Sequence, residues 1–63
     1  MHTMDKSRFI KVYSNLPLGL RNEVVVVLDE TGPLTWNAAY VEISQETQIG
    51  KKIMDKLEKM EVI

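Results

Sequence analysis

The sequence contains no cysteine and a single histidine, His2. Without cysteine there are no disulfides or thiolate metal ligands, which is typical of a reducing compartment, and we expect a cytoplasmic location. One histidine cannot complete a zinc site, and it has no cysteine nucleophile to activate. The sequence therefore predicts no catalytic residue, no metal ligand and no cofactor.

Phosphate-binding and dinucleotide-binding glycine motifs are also missing. The adjacent carboxylates Asp29 and Glu30 precede Gly32 and Pro33, and this composition is typical of an exposed turn. Acid–base catalysis needs carboxyl groups that are held apart across a pocket. A chain of 63 residues is also too short for a catalytic scaffold with a cleft between domains. We therefore expect a protein that is not an enzyme.

Long apolar runs are absent, and no segment approaches the roughly 20 residues that span a bilayer. The formal net charge of −1 argues against general nucleic-acid binding. Charge is unevenly distributed, however: residues 22–46 contain five carboxylates and no basic side chain. This acidic central segment is expected mainly to aid solubility and to attract other segments of the chain. A basic protein partner is the functional alternative, and neither nucleic acid nor membrane is expected to bind.

Helical periodicity and capping residues occur in three segments, at residues 5–15, 35–44 and 48–60. Asp5, Thr35 and Thr47 are the predicted N-caps. A strand remains the alternative for the first segment, which is rich in β-forming residues. A strand over residues 34–41, forming a hairpin, is the alternative for the second.

The last segment has the clearest helical pattern. Its predicted apolar stripe consists of Ile49, Ile53, Leu57 and Met60. Gly50 lies beside this stripe, and glycine inside a helix costs about 1 kcal/mol relative to alanine. We therefore expect the backbone of another element to approach Gly50 closely.

Four consecutive valines, Val24 to Val27, predict a strand over residues 23–29. An unbroken apolar run favours burial on both faces, and the strand must pair with another because its backbone groups need partners. Residues 29–33 have the composition of a turn. The predicted fold is a small α+β domain over residues 5–63, with one central strand and three helices, after a disordered segment at residues 1–4.

A homodimer would supply the partner that this strand needs. A chain of this size has too few helices to cover both faces and both edges, and no proline or lysine within residues 23–28 protects an edge. Antiparallel pairing about a two-fold axis would satisfy the strand. The predicted interface consists of Val24, Val25, Val26, Val27 and Leu28. Pairing within the chain, to residues 8–14 or 34–41, is the alternative.

Two functional hypotheses follow. The first is a non-enzymatic protein-interaction or regulatory module that acts as a homodimer. The second is a DNA-binding or antitoxin-type protein, because strand, helix and helix follow one another over residues 23–60 as in ribbon-helix-helix repressors. Those ribbons read bases with polar or basic side chains, whereas the corresponding positions here are valines in acidic surroundings.

Several segments together resemble a group of small uncharacterised prokaryotic proteins. They are Tyr13-Ser14-Asn15-Leu16-Pro17, Arg21 with the valine strand, Leu34-Thr35-Trp36, and Thr47-Gln48-Ile49-Gly50-Lys51-Lys52-Ile53. The resemblance spans most of the chain. It implies a single stand-alone domain and carries over no activity and no site residue.

Overall fold

The computed structural model describes residues 6–63, which form three α-helices, one 3-10 helix and a two-stranded sheet. In chain order the elements are α1 (Lys6–Ser14), the 3-10 helix (Leu18–Asn22), β1 (Val24–Leu28), β2 (Gly32–Thr35), α2 (Trp36–Ser44) and α3 (Gln48–Lys59). The fold is a small α+β domain, and the three predicted helices are confirmed. The predicted disorder at residues 1–4 and the predicted cap Asp5 lie outside the described residues.

The valine strand has a partner within the same chain. β2 runs antiparallel to β1, with Val27 opposite Pro33 and Leu28 opposite Gly32. This hairpin replaces the predicted single central strand, because Gly32 and Pro33, which have turn composition, form half of β2. Pro33 is tolerated in an edge strand that lacks a neighbour on one side. Gly32 has a φ of +76°, which glycine adopts without strain.

The helices cover one face of the hairpin and leave the other open. Val26 and Leu28 are buried in the core, whereas Val24 and Val27 are 54% and 52% exposed. Of the four valines, only Val26 is buried within the single chain. A β-bulge between Val24 and Val26 interrupts the pairing. Because all four residues are valines and the strand contains a bulge, the sequence has no alternating pattern that distinguishes the buried face from the exposed face.

The core joins the three helices to β1. Its buried side chains are Phe9, Val26, Leu28, Ala39, Ile43, Ile53, Met54 and Leu57. Ile53 and Leu57 confirm the predicted stripe of α3, while Met60 is half-exposed because it follows the end of that helix. Each fully buried side chain of this kind contributes about 1.5–3 kcal/mol to folding. The stability of the domain therefore depends on few residues.

α2 and α3 pack unusually closely. Both threonine caps are confirmed: Thr35 Oγ1 accepts from the Ala38 N–H at 3.1 Å, and Thr47 Oγ1 accepts from the Gly50 N–H at 2.9 Å. A Cβ atom added to Gly50 would lie 2.3 Å from the carbonyl oxygen of Glu42. The predicted approach of another backbone to Gly50 is therefore confirmed, and that backbone belongs to α2.

α1 is attached to the end of α2 through Lys6. Its ammonium group donates to the Ser44 carbonyl oxygen at 3.1 Å and to the Glu46 carboxylate at 2.9 Å. The carbonyl end of a helix carries partial negative charge, so a cation is favourable there. The hydrogen bond from Lys6 lowers the pKa of Glu46, which shows that the contact favours the charged carboxylate.

Candidate interaction surface

Exposed apolar side chains are concentrated in one part of the chain. Within residues 6–63, four of them lie in ten consecutive residues, and we call them the apolar strip: Leu18, Leu20, Val24 and Val27. The other exposed large apolar residues in the same range are Val41, Met60 and Val62. Single exposed residues are ordinary, whereas a contiguous exposed apolar patch is typical of an interaction surface, and these four residues are close in sequence.

The two leucines of the strip are exposed because polar contacts hold the other side of the 3-10 helix. The Arg21 guanidinium lies 4.3 Å from the centre of the Tyr13 ring and donates to the Ser14 carbonyl oxygen at 3.4 Å. Asn37 of α2 donates to Asn22 at 3.0 Å. These contacts fix the orientation of the 3-10 helix, and Leu18 remains 75% exposed.

Stacked aromatic rings join α1 to α2, and one of them, Tyr13, also contacts Arg21 of the 3-10 helix. Trp36 stacks on Phe9 with ring centroids 5.7 Å apart, and Tyr40 stacks on Tyr13 at 4.5 Å. Trp36 and Tyr40 are thus packing residues of α2, and each pairs with a ring of α1. The Tyr13 hydroxyl also donates to Asn37 at 2.6 Å, so one tyrosine links α1, α2 and the 3-10 helix.

The five residues of the predicted dimer interface are divided between surface and core. Val24 and Val27 belong to the apolar strip, and Val25 is partly buried against the core. Val26 and Leu28 are buried within the single chain. Their side chains are therefore already used for folding, and only the remaining valines offer apolar side chains to a partner.

The edge of β1 is protected by a residue that is distant in sequence. The Lys56 ammonium of α3 donates to the Val27 carbonyl oxygen at 2.8 Å. The expectation of an unprotected strand edge was therefore wrong, since a lysine on the edge is a common device against unwanted pairing.

Most of the acidic central segment is engaged within the chain. Glu30 pairs with Lys52, Glu46 pairs with Lys6, and Glu42 accepts a hydrogen bond from the Thr47 hydroxyl at 2.5 Å. The hydrogen bond from Lys52 lowers the pKa of Glu30.

Two carboxylates of that segment have neither an ion pair nor a side-chain hydrogen bond in the described part of the chain. Glu23 and Asp29 are both exposed, and they immediately precede and follow β1. The free negative charge of the segment is therefore located at the two ends of the strand that carries Val24 and Val27.

Among residues 6–63, no three histidine, cysteine, aspartate or glutamate side chains lie together as a metal site would require. The helices in this range are also too short or too polar to cross a membrane. Comparisons of the chain with protein-family models, curated proteins and solved structures found no match. The resemblance to small prokaryotic proteins therefore stays a prediction.

Proposed function

We propose that this protein is a non-enzymatic protein-interaction module that acts as a homodimer, with the apolar strip and β1 at the interface. The observation that carries the proposal is the strip itself. Among residues 6–63, in which eight core side chains are buried, four large apolar residues within positions 18–27 face solvent. Covering them removes apolar surface from water, and this is the main driving force for association.

A second copy is the partner that fits this surface. A two-stranded sheet is marginal by itself, and joining two hairpins would give a sheet of four strands. A specific interface covers about 800 Å² on each partner. This is about a fifth of the 4299 Å² surface of the chain. Such an area requires the strip together with its neighbours, including exposed Pro33 opposite Val27.

The ribbon-helix-helix alternative receives less support. The outward side chains of β1 are Val24 and Val27, which have no hydrogen-bonding groups for base edges. Three lysines of α3, namely Lys52, Lys56 and Lys59, already have partners within the chain. Fewer cations are therefore available for phosphate contacts, on which DNA affinity largely depends.

Sedimentation of the wild-type chain and two lysine variants tests the proposal. We expect the wild type to be a dimer and Val27→Lys to be a folded monomer, because a charge would replace an apolar contact. Val41→Lys on α2 is the matched control, since Val41 is 48% exposed outside the strip, and it should remain dimeric. Val26→Lys would not serve, because Val26 is buried and its loss would unfold the chain.

A wild type that stays monomeric and folded up to about millimolar concentration would overturn the proposal. Retention of the dimer in Val27→Lys would exclude the apolar strip as its interface. An electrophoretic mobility-shift experiment with duplex DNA at low salt should accompany these measurements, because binding driven by phosphate contacts is strongest at low salt. Binding of duplex DNA would favour the alternative function.

A further inference from the structure

We infer that Lys56 closes the edge of β1 in the single chain and forms an ion pair with the partner's Glu23 when two β1 strands lie side by side. This inference rests on the proposed homodimer and adds to it the mode of pairing. It assigns one lysine two alternative acceptors: the Val27 carbonyl oxygen of its own chain and a carboxylate of the second copy.

The contact that closes the edge is exposed and replaceable. Lys56 is an exposed residue of α3, and its ammonium reaches across to the Val27 carbonyl oxygen at 2.8 Å. A second strand that pairs with this edge would offer a backbone N–H to the same oxygen. The lysine would then be released close to the end of its own β1 strand, with its ammonium group free to bind another acceptor.

Antiparallel pairing provides that partner. Two copies related by a two-fold axis present the same edge to each other, so the end of one strand lies beside the start of the other. Lys56 is held near the end of β1 at Val27, and Glu23 directly precedes the start of β1. The released ammonium of each chain therefore lies near the partner's Glu23, and the symmetry forms the contact twice.

Lys56 also offsets a repulsion between carboxylates that this dimer would otherwise contain. Glu23 and Asp29 lie at opposite ends of β1, so antiparallel pairing brings the Asp29 of one chain towards the partner's Glu23. Carboxylates that face each other across strands are destabilising. A lysine placed between them offsets this repulsion. Glu23 and Asp29 have no ion pair within residues 6–63, so both are free to interact with it.

A charge-swap experiment in sedimentation tests the pairing. Lys56→Glu and Glu23→Lys each place like charges together at the interface, and we expect each to raise the dimer Kd about tenfold or more. The double variant Glu23→Lys/Lys56→Glu recreates the pair with its charges reversed, and it should recover most of the wild-type affinity. A role of either residue in folding alone would not produce such recovery.

Two further variants control the experiment. Lys51→Glu changes an exposed lysine of the same helix that has no ion pair within residues 6–63, and it should leave the Kd within about twofold. Glu23→Gln removes the carboxylate without adding a charge, so it should weaken the dimer less than Glu23→Lys. Circular dichroism of every variant checks that the fold is retained.

The outcomes separate this inference from the proposed function. A wild type that is monomeric overturns both. A wild-type dimer whose Kd is unaffected by Lys56→Glu and Glu23→Lys overturns the ion pair and leaves the homodimer standing. Single variants that weaken the dimer without recovery in the double variant also overturn it. Recovery in the charge swap supports it.

Discussion

Gly50 is the residue that allows α2 to pack closely on α3. It is buried in α3, and a Cβ atom there would lie 2.3 Å from Glu42 O and 2.7 Å from Glu42 C. Both atoms are backbone, so they cannot move without displacing α2. The intrinsic cost of glycine in a helix is thus compensated by the close packing of α2 on α3.

We expect Gly50→Ala to lower the free energy of unfolding by about 2 kcal/mol, because the forced separation of the helices outweighs the helical preference of alanine. Urea denaturation measures this change. Gly19→Ala is the matched control, since nothing lies within 4 Å of a Cβ atom at that position, and it should change stability little. An equally stable Gly50→Ala protein would contradict the packing described for α2 and α3.

At the scale of elements, two ion pairs attach segments that are distant in sequence. Glu30, in the hairpin loop, pairs with Lys52 of α3, and Glu46, after α2, pairs with Lys6 of α1. Hydrogen bonds from these lysines lower the pKa of each carboxyl below its ordinary value of 4.5. Both groups therefore bind protons more weakly in the folded chain than in the unfolded chain.

The sign of the pH dependence follows from these lowered pKa values. The stabilisation by Glu30 and Glu46 is complete above pH 4.5 and is lost as the pH falls through the lowered values. We expect the urea midpoint to fall less between about pH 7 and about pH 3 in the double variant Glu30→Gln/Glu46→Gln than in the wild type. Glu58→Gln, which alters an exposed carboxylate without an ion pair in the described chain, should retain the wild-type pH dependence.

The helices were more predictable from the sequence than the sheet. Thr35 and Thr47 mark the starts of α2 and α3 by a local mechanism, because each side chain caps its own helix. β2 was only partly anticipated, as the alternative hairpin strand over residues 34–41, because Gly32 and Pro33 have turn composition, and a short edge strand tolerates both. The 3-10 helix at Leu18–Asn22 was not predicted. Its orientation depends on contacts of Arg21 and Asn22 with other elements.

At the scale of the whole molecule, part of the candidate site was predictable and part was not. Val24 and Val27 were predicted interface residues, and they are exposed. The sequence could not separate them from Val26, because that distinction requires the position of the bulge and the face that the helices cover. The protection of the β1 edge by Lys56 was also hidden, since the lysine lies 29 residues after Val27 and reaches it only in the folded chain.

A chain of this size that folds as a homodimer should gain stability from its own concentration. The second copy acts as a ligand that binds only the folded state, so mass action shifts the unfolding equilibrium. For the wild type, we expect Tm to rise by about 10 °C when the concentration increases about a hundredfold within the dimeric range. Val27→Lys lacks the apolar contact of Val27 near the end of β1, and its Tm should not depend on concentration. Thermal unfolding followed by circular dichroism gives both values, with Val41→Lys as the control that should follow the wild type. A wild-type Tm that is constant over the same range would contradict coupling between folding and dimerisation.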